Sequence, residues 1–411
     1  MSKISRNFTR RDFLSKSAFG VAALGVIGVS GHPLQSKDEK KSIHTKGKII
    51  YRTLGRTGIK IPIVNMGVMN AYNPELVKRS YEIGVRHFDT AENYQRGKNE
   101  EMVGNVIKEL NVRDKVIIAT KVYIPHQQRN IPPEKAKEIF LKTVEGSLKR
   151  LKTDYIDILY SHVVPDVQYL NNPGIKEAMQ ILKKQKKIRF LGFSTHTNMT
   201  ECINDAARTG FYDVILTAFN YAMSDDKKFL NAVKNAASKG IGIIAMKTQC
   251  TQYWYRQHYI PKSHQQYYKG KILHTSVLKW ALQHPYICTA IPGYTTFEQM
   301  EEDFSVAYNL EYTSEEKKFF KERGIKLSMA YCQQCYNCVS SCPKQVDIPT
   351  LMRVHMYASC YSNFYHARDT LDSIPENNSL KACVSCNECS AECVNYVNIA
   401  QRIDELKTMY A

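Results

Sequence analysis

The sequence predicts an α/β fold: a (β/α)8 TIM barrel over residues 48–312, followed by a small helical domain over 313–411. Three observations predict the barrel. Short β-branched runs begin near Val64, Arg86, Val116, Tyr155, Arg189, Asp213, Gly242 and Ile287. An amphipathic helical stretch follows each run, the alternation expected of a parallel sheet with helical crossovers. The glycine-rich turn of a doubly wound dinucleotide fold is missing after the first run, where Val64-Asn65-Met66-Gly67-Val68-Met69-Asn70 holds one glycine.

The first 47 residues read as an address and a linker. Thr9-Arg10-Arg11-Asp12-Phe13-Leu14-Ser15-Lys16 precedes an apolar stretch from Ala18 to Val29. A charged region before a short hydrophobic one is the plan of a signal peptide. The stretch is shorter than the roughly 20 apolar residues of a membrane span. The arginine pair with Phe-Leu resembles a twin-arginine signal. That resemblance implies export of an already folded protein to the periplasm by the twin-arginine machinery. Left uncleaved, the signal would hold the protein at the membrane. The polar stretch from Lys37 to Lys46 is the linker.

Tyr51 to Ile61 reads as a hairpin with a glycine-containing turn. The helical stretches after the runs are Pro74–Ile83, Glu100–Leu110, Glu134–Leu151, Ile175–Lys184, Met199–Ala207, Asp226–Lys239, His274–Gln283 and Thr296–Tyr308. Gly84, Gly210 and Gly240 stand where a helix end takes a left-handed residue. The net charge of +18 is spread along the chain, as in Lys183, Lys184, Lys186 and Lys187. Without a zinc-finger or RNA-binding motif beside it, it reads as solvated helix faces, and no nucleic-acid partner is expected.

In such a barrel the chemistry sits at the C-terminal ends of strands. Asp89, Tyr94, Lys121 and His162 fall there, after the second, third and fourth runs. A tyrosine is a poor acid at neutral pH, and a nearby ammonium lowers its pKa. Lys121, held by Asp89, is expected to do this for Tyr94, which would protonate a carbonyl oxygen oriented by His162. Phe88-Asp89-Thr90-Ala91-Glu92-Asn93-Tyr94, Ala119-Thr120-Lys121 and Leu159-Tyr160-Ser161-His162 resemble the tetrad of the aldo/keto reductase family. The resemblance covers roughly 49–312. It implies reduction of a small-molecule carbonyl, or oxidation of an alcohol, with NADP(H) or NAD(H).

The nucleotide positions depart from the family's pattern. Ser194 is kept, but Thr195 replaces the family's Asn, and Leu216 stands where a Gln would hold the nicotinamide amide. The family commonly meets the 2′-phosphate with Lys and Arg; the resemblance places Gly293 and Gln299 there, with Glu302 and Asp303 close by. Tight NADPH binding is therefore not expected, and a periplasm has no NADPH pool to recycle.

Cys332, Cys335, Cys338 and Cys342, the last followed by Pro343, repeat their spacing as Cys383, Cys386, Cys389 and Cys393. This is the ferredoxin run for two 4Fe-4S clusters, in which the fourth cysteine of each run ligates the other cluster. One cluster is expected on Cys332, Cys335, Cys338 and Cys393, the other on Cys383, Cys386, Cys389 and Cys342. The long helical stretch between the runs points to a helical two-cluster ferredoxin-like domain. Cys202, Cys250, Cys288 and Cys360 are expected to be plain buried thiols.

The expected function is an exported iron–sulfur oxidoreductase whose clusters relay electrons between the barrel and a redox partner protein or membrane donor. Two alternatives stay open at this level. One is a conventional NAD(P)H reductase with structural clusters. The other is an electron-transfer protein with an inactive barrel.

Overall fold

A computed structural model describes residues 47–125, 129–249, 273–321, 332–386, 389–395 and 397–410. Residues 1–46 of the region read as signal and linker, and Cys250, lie outside the described residues.

Eight parallel strands follow a short hairpin. The hairpin pairs β1 (Tyr51–Thr53) with β2 (Lys60–Pro62). The sheet runs in chain order through β3 (Met66–Gly67), β4 (His87–Asp89), β5 (Ile117–Val122), β6 (Ile156–Val164), β7 (Ile188–Thr195), β8 (Val214–Ala218), β9 (Gly242–Met246) and β10 (Thr289–Ala290). A parallel bridge between Val64 and Ala290 brings its two edges together. Every residue of β5 and β8 is buried, as strands covered on both faces require.

Between the strands lie α1 (Pro74–Ile83), α2 (Lys98–Leu110), α3 (Pro133–Leu151), α4 (Val167–Leu170), α5 (Pro173–Lys184), α6 (Met199–Thr209), α7 (Lys227–Ser238) and α8 (His274–Leu282), with α9 (Phe297–Ser305) after β10. Local sequence sets their ends. Asn73, Asn172, Asp226 and Thr296 cap α1, α5, α7 and α9 by accepting first-turn N–H groups. Gly84 and Gly210 end α1 and α6 with φ of 120° and 66°. The stretch expected as one helix to Tyr308 divides, because α9 tightens into a 3-10 turn over Val306–Tyr308.

The hairpin closes the barrel floor. Leu54 and Ile61 are fully buried in the interior cluster with Ile117, Ile158 and Tyr160. Gly55, at φ +49°, is required there: a Cβ would stand 2.3 Å from the Gly242 nitrogen.

Beyond the barrel, α10 (Ser314–Lys321) packs Phe319 on Val277 of α8, and Lys279 of α8 donates to Glu316 at 2.8 Å. The remaining segment forms α11 (Ile348–His355), a π turn over Met356–Cys360, α12 (Phe364–Asp372) and α13 (Ile399–Tyr410). It has its own apolar core, including Val346, Leu351, Val354, Ile399, Ile403 and Leu406. It docks on the loops after β3 and β4. Asn363 donates to Asn70 at 3.0 Å, Tyr72 donates to Asn363 at 3.3 Å, and Arg96 pairs with Asp369 at 3.5 Å. Among the described residues no helix is long and apolar enough to cross a membrane.

Candidate active site

Asp89 ends β4, Lys121 lies near the end of β5 and His162 lies in the last third of β6. Tyr94 opens the turn after β4, in which Gln95 and Arg96 are left-handed, with φ of 53° and 54°. Such residues cost about 1–3 kcal/mol each. The Gln95 amide offsets part of this by donating to the Ala71 carbonyl at 3.1 Å. A register shift in β6 between Ser161 and Val164 re-aims the chain at His162, and Val163 takes a φ of 54°. The Val163 N–H donates to the Ser194 hydroxyl oxygen at 3.0 Å, so Ser194 holds this bulge.

All four residues line one cleft. Lys121, 1% exposed, donates to the Asp89 carboxylate and to the Thr90 carbonyl at 2.5 Å. Its ammonium lies 4.9 Å from the centroid of the Tyr94 ring. The Tyr94 and His162 rings meet edge-on, with centroids 5.8 Å apart. Next to Lys121 on β5, Thr120 donates to Glu100 at 2.5 Å, and Arg150 donates to the same carboxylate at 2.7 Å. That triad ties α2 and α3 to the strand carrying the lysine.

The electrostatics correct one expectation. Tyr94 is not made more acidic: burial, then the charges of Asp89 and Tyr357, push its hydroxyl well above the usual tyrosine value. The Lys121 ammonium, bonded to Asp89 and Thr90 and 4.9 Å from the ring centroid, does not outweigh these effects. Burial also pulls the Lys121 ammonium down, against the Asp89 charge. His162 is driven well below its usual value by burial, then by Lys121, His366, Arg353 and Arg129. At neutral pH the site therefore holds a protonated phenol and a neutral imidazole.

The expected nucleotide positions separate. Ser194, Gly293 and Asp303 line the cleft, as does Leu216, whereas Gln299 and Glu302 do not. Gln299 turns back to accept the Thr295 N–H at 2.9 Å, and Glu302 points to solvent. Asp303 is buried and accepts from Gln249; burial raises its carboxyl to about 8. Lys247 lines the cleft, but its ammonium lies over the Tyr357 ring, 5.0 Å from the centroid. At the ring end, Ser194 and the apolar wall of Leu216 suit a flat heterocycle. At the 2′-phosphate end the fit fails, since the residues expected to meet that group are uncharged or turned away.

Sequence reasoning missed the part of this site supplied by the C-terminal segment. Tyr357, Cys360 and Tyr361 line the same cleft, whose cavity is about 120 Å³. The His366 ring stands 5.5 Å from that of Tyr94. Cys360, expected to be an ordinary buried thiol, is buried but faces the cleft. No local signal marks these residues, because only docking gives them neighbours on the barrel.

The cysteine runs lie against one another. Ser390 donates to the Ser341 carbonyl at 2.9 Å, and the Glu392 N–H donates to the Ser341 hydroxyl oxygen at 3.4 Å. Burial, then the neighbouring thiolates of Cys332, Cys393 and Cys335, pushes Cys338 up to about 12. Burial raises Cys383 to about 11, its neighbours including Lys407, Cys342, Cys386 and Cys389. Gln334 donates to the Cys332 sulfur at 3.2 Å, and the Asn395 N–H to the Cys393 sulfur at 3.4 Å. Among the described residues, no three His, Cys, Asp or Glu side chains stand close enough to hold one metal ion between them.

Comparison with known proteins agrees with the barrel. The model of the aldo/keto reductase family matches residues 65–267. The chain is 27% identical over 294 residues to an L-galactose dehydrogenase of Arabidopsis thaliana, a match covering 64% of this chain and 90% of that one. It is 27% identical over 165 residues to an L-glyceraldehyde 3-phosphate reductase of Escherichia coli, covering 37% and 46%. The structure of an aldo-keto reductase from Bacillus halodurans superposes with a TM-score of 0.54 at 20% identity, over 67% of this chain and 96% of that one, a likeness of fold. Residues 313–411 lie beyond the family match. Residues 65–267 are thus similar to the aldo/keto reductase family, and the protein is an oxidoreductase.

Proposed function

We propose that the protein reduces a small-molecule carbonyl, or oxidises the matching alcohol, with electrons relayed by two 4Fe-4S clusters. The observation that carries the carbonyl chemistry is the convergence of Asp89, Tyr94, Lys121 and His162 on one buried cleft. Neutral His162 donates a hydrogen bond to the carbonyl oxygen and fixes its direction. Tyr94, held as the phenol, gives its proton to that oxygen, while two electrons and a second proton, taken from solvent, form the C–H bond at the carbonyl carbon. The Lys121 ammonium beside the ring then favours the phenolate, and Asp89 keeps Lys121 charged at a depth where a lone ammonium would lose its proton.

The donor sets suit the clusters. A four-iron cubane takes one thiolate on each iron, farther apart than ligands sharing a single ion. The neighbours of Cys338 and Cys383 fall into the two cross-run sets read from the spacing. The N–H groups on Cys332 and Cys393 would stabilise ligated thiolates. Bound, two such clusters pass single electrons and together meet the two-electron demand of the carbonyl. A redox partner protein or membrane donor would load them, and NADP(H) or NAD(H) would not act as a freely exchanging substrate. The twin-arginine reading of Arg10 and Arg11 supports export of the folded protein to the periplasm.

The test is anaerobic. The protein is reduced with dithionite, and the visible absorbance is followed as carbonyl compounds are added. Reoxidation by a carbonyl substrate is expected, slowed roughly 10²–10⁴-fold in Tyr94→Phe, which removes only the acidic proton. Equal rates in that variant would overturn the role of Tyr94. Steady turnover with freely exchanging NADPH would overturn the relay.

A further inference from the structure

A second cavity, of about 450 Å³, opens beside His162. Its lining includes Glu92, Asn93, Tyr123, Arg353 and His366, and it shares His162 and Tyr357 with the cleft. A carbonyl held by Tyr94 and His162 would therefore have the rest of its molecule in this space. We propose that this cavity is a subsite for a carboxylate on the substrate, and that Arg353 is the residue that recognises it. The inference rests on the carbonyl chemistry proposed above and adds the substrate's class.

The charges along the wall lead to Arg353. Arg96 pairs with Asp369 at 3.5 Å, and Arg150 with Glu100 at 2.7 Å. Glu92 accepts the Tyr123 N–H at 3.1 Å, and burial lifts its carboxyl to about 7. Arg353, 6% exposed, has one hydrogen bond among the described residues, at 3.4 Å to Thr350 in its own helix, and no carboxylate partner. A guanidinium cannot shed its proton, and burying it unpaired is costly. Tyr357, Tyr123, Tyr336 and the charge of Asp347 favour its charged form, but among the described residues no carboxylate is in contact with it, and a ligand would supply that partner. A second observation points the same way. The Nδ1 atoms of His162 and His366, which donate when they carry the ring proton, are buried without a partner among the described residues. A polar ligand seated here would meet such atoms.

One guanidinium matches one charge. Its planar fork fits a carboxylate with two parallel hydrogen bonds. A phosphate monoester would bring a second charge that Arg96 and Arg150, already paired, do not meet. Arg353 belongs to α11, so the barrel by itself would lack this selectivity.

The test uses the full chain and three aldehydes of similar size: 4-carboxybenzaldehyde, its methyl ester, and 4-formylphenyl phosphate. Calorimetry reads binding without turnover. The carboxylate should bind roughly 10- to 100-fold tighter than the ester, the worth of a charged hydrogen-bonded pair. Arg353→Gln should erase that difference, and Arg353→Lys should keep part of it. Ester binding in each variant reports that the site is still folded. Equal binding of acid and ester by the wild type, or a preference that survives Arg353→Gln, overturns the subsite. A phosphate bound tighter than the carboxylate through Arg353 overturns the substrate class. Carboxylate binding through Arg353 with no reduction by dithionite-loaded protein upholds the subsite and overturns the carbonyl chemistry. Reduction of acid and ester alike with equal affinity does the reverse.

Discussion

Replacing Asp303 by asparagine should remove a pH-dependent term from the stability of this protein. The carboxyl is buried beside the cleft; burial first, offset by the Gln249 hydrogen bond and aided by the Glu302 charge, lifts it from 3.8 to about 8. In the unfolded chain the same group ionises near its ordinary value. Between those two values the folded state binds the extra proton, so stability falls as pH rises. The contribution is full below about pH 4 and is lost as pH climbs through about 8, with a slope of about 1.4 kcal/mol per pH unit. From pH 5 to pH 8 this amounts to about 4 kcal/mol. An unfolding entropy of about 2 cal/mol/K per residue turns each kcal/mol into roughly 1–2 °C for a unit of this size. The replacement amide keeps an acceptor for Gln249 and cannot ionise. The difference in Tm, wild type minus Asp303→Asn, should therefore drop by about 5 °C across that range. Scanning both proteins in four buffers measures it. Parallel Tm profiles would show that Asp303 ionises normally, in contact with water or a cation, and would refute the reasoning.

Asp89→Asn should leave Lys121 buried with only the Thr90 carbonyl, costing about 3–5 kcal/mol and seen as a lower Tm; an unchanged Tm would mean that Lys121 is not charged in the folded protein. For the clusters, iron analysis of Cys342→Ser should find about half of the expected eight atoms. Adding Cys383→Ser should remove no more, because both sulfurs serve one cluster, whereas adding Cys338→Ser should remove the rest; the opposite pattern would show that each run closes on its own cluster. Changing Arg10 and Arg11 to Lys should strand the folded protein in the cytoplasm, read by fractionation, and continued export would contradict the twin-arginine assignment.

The sequence by itself determined the barrel and singled out Asp89, Tyr94, Lys121 and His162, which line one cleft in it. Strand and helix periods are local properties, so the runs at Val64 through Ile287 and the helix-ending glycines Gly84 and Gly210 mark elements without knowledge of their neighbours. The place of Asp89, Lys121 and His162 near strand ends follows from the same local pattern. Cysteine spacing is also local, and it read out the two runs that lie against one another in the structure. What only the tertiary structure decided was the environment. Tyr94 was expected to be acidified by Lys121, but burial and the charges of Asp89 and Tyr357 outweigh the ammonium and disfavour the phenolate. Gln299 and Glu302 sit on the same helix as Asp303, yet only Asp303 faces the cleft, because one turn of helix sends neighbouring side chains in different directions. Arg353, Tyr357 and His366 lie nearly two hundred residues or more from His162 in the chain. They reach it because the C-terminal segment docks over the strand ends, and a contact between distant parts of a chain leaves no mark in either one.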